Sequence, residues 1–163
     1  MKVILSRSLV TLITVILCLS SLTILNVKAQ PRTIVVPDDY PTIQEAINFA
    51  NEGDTVLVRR STYNDQAIRI DKSLSLIVEG AILKGKARPG NPVIIKVESD
   101  DVKISGFTIT EGTFGLSGQG NRTQIIGNKF VLMYQLAISL GGSFKTIVGN
   151  SFTQCPTSIQ SSG

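Results

Sequence analysis

The chain has 163 residues, 42% of them hydrophobic, which is enough for one domain with a sizeable core. Its formal charge of +4 is concentrated at the N-terminus: Lys2, Arg7 and Lys28 are three of 16 basic residues, and the 13 that remain stand against 12 acidic ones. A nearly neutral remainder gives no footing for nucleic acid or acidic lipid as a partner, and a chain without histidine lacks the commonest metal ligand.

Lys2 and Arg7 precede an apolar run from Leu9 to Leu25, and Val27-Lys28-Ala29 supplies the small −3 and −1 positions for cleavage before Gln30. The pattern predicts a secretory signal peptide over residues 1–29. The competing reading is an uncleaved membrane anchor over residues 8–27, although Thr11, Thr14, Ser20, Ser21 and Thr23 dilute the run. Cys18 lacks the small preceding residue that lipid attachment requires. Either reading exports the chain, to the extracellular space, the cell surface or a periplasm. Cys155 is the one cysteine after the leader, so no intrachain disulfide is expected.

Residues 30–54 are expected to form an N-terminal strand and a capping helix. Thr33 to Val36 is strand-like and Pro37-Asp38-Asp39 ends it. Thr42 and Glu45 have the spacing of a capping box, and Ile43, Ala46, Ile47 and Ala50 then fall on one helical face. The helix is predicted over Thr42 to Asn51, ended by Gly53 in the left-handed conformation, and its role is to cover the first coil of a strand stack.

Residues 55–163 read as stacked strands. Thr55 to Val58 is predicted as the first strand of the stack, Lys72 to Gly80 as a second coil, and Ala81 to Leu83 and Pro92 to Val97 as further strands around a surface loop from Lys84 to Asn91. Val102 to Thr110 alternates as a strand pair. Beyond it one unit is written twice: Gly115-Leu116-Ser117 returns as Ala137-Ile138-Ser139, and Ile125-Ile126-Gly127-Asn128-Lys129-Phe130 returns as Ile147-Val148-Gly149-Asn150-Ser151-Phe152, each 22 residues on. That period is too short for paired helices and suits a coil of short strands, each coil burying its inward residues only when stacked on a neighbour. The expected fold is all-β, a right-handed parallel β-helix. Phe130 over Phe152 and Asn128 over Asn150 are expected to stack along its axis at about 4.8 Å, the asparagines as a structural ladder. The sequence reaches Gly163 inside what would be another coil, so further coils or self-association at that end are expected to close it.

These residues resemble a known group. Asn121 to Phe130 and Lys145 to Phe152 are similar to the coils of right-handed β-helix proteins, shared by NosD-type periplasmic copper-binding proteins and carbohydrate-associated surface proteins. Asp39 to Ile47, with Gly53 to Val56, is similar to the opening of pectin lyase-like and pectinesterase-like β-helices. In those families a Gly-Thr-Tyr turn usually follows the strand, and here Ser61-Thr62-Tyr63 lacks the glycine.

The chemistry these resemblances imply is poorly supported by the residues. Copper wants His, Cys or Met, and after the leader only Met133 and Cys155 are present, so neither a metal site nor any other cofactor is expected. A pectinesterase-like aspartate nucleophile would follow Tyr134-Gln135, where Leu136 stands instead. A lyase or glycosidase needs placed carboxylates with a basic partner. The candidates are Asp100 and Asp101 with Arg122, in a turn where aspartate is favoured for local reasons. The balance favours a non-catalytic module, carbohydrate-binding or structural, over a fragment of a polysaccharide-active enzyme. Ser105, Ser117 and Ser139 are the candidate outward hydroxyls and Tyr134 the stacking ring for a polysaccharide or cell-envelope glycan. Asn121-Arg122-Thr123 is a glycosylation sequon.

Overall fold

The computed structural model describes residues 30–64, 67–85 and 93–162. The leader over 1–29 and most of the Lys84 to Asn91 loop lie outside these residues, while Lys84 itself closes a strand. Among the described residues no helix is long and apolar enough to cross a membrane.

Short runs of β-branched and aliphatic residues form the walls of a parallel β-helix. The first wall has six strands, β1 (Thr33–Val36), β2 (Thr55–Val58), β5 (Ser75–Val78), β8 (Lys103–Ser105), β10 (Gln124–Ile126) and β12 (Thr146–Val148), in that spatial order. The second wall stacks β3 (Thr62–Asn64), β6 (Ile82–Lys84), the start of β9 (Thr108–Gly118), the start of β11 (Lys129–Leu140) and β13 (Ser151–Thr153). β9 and β11 then bend at Glu111 and Leu132, both at positive φ, and their second halves join β4 (Ile68–Ile70), β7 (Val93–Val97) and β14 (Thr157–Ser161) in a third wall. Every strand pair is parallel because each coil returns to the same wall one level on.

Alternation decides which side chains fill the coil. Val56, Leu76, Ile104 and Ile125 stack in register on the first wall and are fully buried. Each such side chain contributes about 1.5–3 kcal/mol relative to an exposed one. On the second wall the Phe130 and Phe152 rings stack with centroids 5.4 Å apart. At the corner after the first wall, Asn128 Nδ2 donates to Asn150 Oδ1 at 3.2 Å, forming the expected ladder.

Helix α1 (Ile43–Phe49) closes one end, with the Thr42 hydroxyl accepting the Glu45 amide and Ile43, Ala46 and Ile47 fully buried. Its Gln44 side chain imitates a strand: Oε1 accepts the Arg69 amide at 2.7 Å and Nε2 donates to the Arg69 carbonyl at 3.2 Å, occupying the free edge of β4.

Three details differ from the sequence reading. Thr55 to Val58 is the second strand of its wall, since β1 pairs with it from Thr33↔Thr55 to Val36↔Val58. The helix stops at Phe49 with Ala50 extended, and Gly53, at φ +86°, serves the corner beyond it, where its amide donates to the Ser73 carbonyl. Thr62 and Tyr63 lie in β3, with Tyr63 buried, so the turn falls before them and the missing glycine is not needed.

Candidate functional site

The third wall carries two in-register columns of outward residues. Its outward column runs Arg69, Lys96, Ser117, Ser139, Gln160, each in register with the next. Beside it a second column forms two residues later, because Glu98, Gln119, Gly141 and Ser162 each donate their amide to the coil before. The two columns line a groove of about 480 Å³ bounded by Lys96, Glu98, Ser117, Gln119, Ser139 and Ser162. A smaller pocket of about 260 Å³ lies beside Arg69 and shares Lys96 and Glu98.

Charge in this furrow is compensated locally. Glu98 receives both Lys96 and Arg69, each at 2.5 Å, and Arg69 also meets Asp71 at 3.2 Å. The hydrogen bonds from Lys96 and then Arg69 hold the Glu98 carboxyl below the usual glutamate range. Exposed pairs of this kind add little stability. Their effect is to lay two long cations along the wall and leave two cations against two carboxylates. The groove therefore offers hydroxyls, amides and neutralised ions to a ligand.

The hydroxyl candidates are divided among walls. Ser117 and Ser139 share the groove, whereas Ser105 lies on the first wall between Ile77 and Ile126. Tyr134 is 61% exposed on the bend that precedes the third-wall part of β11. Phe144, 83% exposed and at φ +58°, stands on the corner that follows the same segment. Two exposed rings thus stand before and after the third-wall segment of one coil, and neither lines the groove. The sequence reading identified only the first.

Asp100, Asp101 and Arg122 are brought together at the corner between the third and first walls. Arg122 grips Asp101 through two bonds of 2.6 Å and reaches Asp100 at 3.6 Å. Asp100 accepts the Asn121 amide at 2.8 Å and its side-chain Nδ2 at 3.2 Å, while Asn121 Oδ1 accepts the Ser143 amide at 2.9 Å. Both carboxyls lie below the usual aspartate range, Asp100 through its bonds from Asn121 and Asp101 through the Arg122 guanidinium. Held ionised and engaged with the corner, neither is a stored proton of the kind glycoside hydrolysis needs. The same geometry occupies the sequon: Asn121 Nδ2 is bound to Asp100, and the buried Thr123 hydroxyl donates to the Gly120 carbonyl.

Among the described residues no three of His, Cys, Asp or Glu converge to hold a metal ion. Sequence reasoning missed Lys96, Gln119 and Ser162 as groove residues. The signal was present, since one 21-residue step back from Ser117 reaches Lys96, but the residue types along that column differ.

Comparison with known proteins gives no match to a family, a curated protein or a solved structure. The fold class, a parallel β-helix with a capping helix at one end, is therefore defined by the chain's own strand register.

Proposed function

We propose that this chain is an exported, non-catalytic glycan-binding module that holds a run of neutral polysaccharide along the third wall. The observation that carries the reading is the groove over Ser117 and Ser139, whose polar groups recur at the coil spacing. A linear polymer also repeats along its length, so successive sugars meet successive coils with similar hydrogen-bonding chemistry. Tyr134 and Phe144, exposed before and after the Ser139 segment in the chain, are the aromatic rings on which sugar faces would pack. Internal neutralisation of Arg69, Lys96, Asp71 and Glu98 favours an uncharged ligand over a polyuronate. Export rests on the leader-like N-terminus.

Incubation of the purified chain with insoluble cellulose, xylan and chitin tests the reading. Retention on at least one, without release of reducing ends, is the expected result. Absence of retention on all three would refute it. Release of reducing ends or unsaturated products, abolished by Asp101→Ala, would place the chain among polysaccharide-active enzymes instead.

A further inference from the structure

Among the described residues, Gly141 is the one glycine that the fold does not ask for. The others either hold a positive φ or have an atom of another residue in the space that a Cβ would take. Gly118, in the same groove, is of the second kind, with the Val97 carbonyl standing where its Cβ would be. Gly141 has neither constraint. Its φ is not positive, and a Cβ there would rest 3.4 Å from Gln119 Cγ and 3.6 Å from Ser162 Oγ, in ordinary van der Waals contact. An alanine would fit, and would lose less conformational freedom on folding than glycine does.

The position explains the residue better than the backbone does. Gly141 is half-buried in the second column of the groove, between the exposed Gln119 of the coil before and the exposed Ser162 of the coil after. Glu98, Gln119 and Ser162 all put a polar side chain into that column, and Gly141 interrupts it. The interruption is a notch one side chain deep, open to the groove beside Ser139. Its walls are a carboxamide and a hydroxyl, each able to donate and to accept a hydrogen bond.

We infer that Gly141 is a specificity-determining residue of the groove, its notch admitting the exocyclic hydroxymethyl group of a hexose, so that polymers of hexoses are taken in preference to polymers of pentoses. The inference rests on the glycan-binding reading above. An unbranched pentopyranose chain has no carbon outside its rings and needs no recess to lie along the wall. A hexopyranose chain such as cellulose or chitin carries a hydroxymethyl group on every ring. To lie flush it needs room for that group and a partner for its hydroxyl, and Gly141 gives the room while Gln119 and Ser162 supply the partners. A side chain at position 141 would occupy that space and hold the chain off the wall.

The test compares retention of wild type, Gly141→Ala and Gly141→Leu on cellulose, chitin and unbranched xylan, with thermal unfolding of each protein. Wild type is expected to bind cellulose or chitin at least about tenfold more strongly than xylan. Gly141→Leu, which fills the notch, is expected to lower retention on the hexose polymer at least about tenfold and to leave any retention on xylan within about twofold. Gly141→Ala is expected to keep or raise the unfolding midpoint, as glycine to alanine does where the backbone tolerates it. A lowered midpoint in Gly141→Ala would show that the fold needs the glycine and would overturn the inference. Stronger wild-type retention on xylan, or hexose binding unchanged in Gly141→Leu, would overturn it while leaving the glycan-binding reading in place. Wild-type retention on none of the three would remove both.

Discussion

Asn150 Oδ1 accepts two bonds from Asn128, one from its main-chain amide at 2.9 Å and one from its Nδ2 at 3.2 Å. Asn128 repeats the arrangement upward, its own Oδ1 accepting the Phe107 amide at 3.0 Å while Nδ2 also donates to the Ile104 carbonyl. The ladder thus satisfies backbone groups that the corner removes from the sheet. Asn128 is 1% exposed, so Asn128→Leu strands at least one buried amide and one buried carbonyl. A loss of about 2–4 kcal/mol in unfolding free energy is expected by urea titration, and Asn150→Ala, nearer solvent, should cost about half of that. A ladder contributing only packing would show no such difference.

Two corner glycines with the same sign of φ should respond differently to alanine. Gly106, at φ +86°, has the Val78 carbonyl where a Cβ would stand, so Gly106→Ala must push two coils apart. Gly127, at φ +63°, has nothing within 4 Å of that position. Gly127→Ala is expected to cost about 1 kcal/mol, the conformational penalty alone, and Gly106→Ala at least about twice that. Thermal unfolding of the two variants separates strain from collision, and equal losses would contradict the distinction.

Asp54 is 1% exposed and ties the first strand to the segment just beyond the helix. Burial by itself would raise its carboxyl. The amides of Arg32 and Asn51, at 2.9 and 2.8 Å, and the Arg32 guanidinium outweigh burial and carry it below the ordinary aspartate value. A carboxyl depressed on folding adds stability that is full above its unfolded value, about 4, and disappears as pH falls through its folded value. Wild-type stability should therefore drop below about pH 4 more steeply than that of Asp54→Asn, which is less stable at neutrality but lacks this titration. Parallel acid profiles for the two proteins would show that Asp54 has no special part.

The coil was legible in the sequence because stacking like on like forces residue types to recur: Ile125 over Ile147 and Phe130 over Phe152 cannot change size without opening a void. Outward positions carry no such constraint, and the groove was correspondingly obscure. Ser117 and Ser139 recur in the repeat, but Lys96, one level away in the same column, shares no chemistry with them that a repeat search would align, whereas Ser105 matches the two serines in type and lies on another wall. The corners were hidden for a different reason. Asp101, Arg122 and Phe144 adopt positive φ although none is glycine, and hydrogen bonds between coils fix the first two: the Asp101 amide donates to the Asn121 carbonyl, and the Arg122 amide to the Ser143 carbonyl. Neighbouring coils impose that conformation, and local propensity does not announce it.

The groove itself is tested most directly by moving one charge between walls. Ser139→Arg places a long cation in the groove between Ser117 and Gln160, and Ser105→Arg places the same side chain on the first wall. Retention on whichever of cellulose, xylan or chitin binds the wild type should fall at least about tenfold for Ser139→Arg and stay within about twofold for Ser105→Arg. Equal losses in both, or retention unaffected by Ser139→Arg, would contradict a glycan site on the third wall.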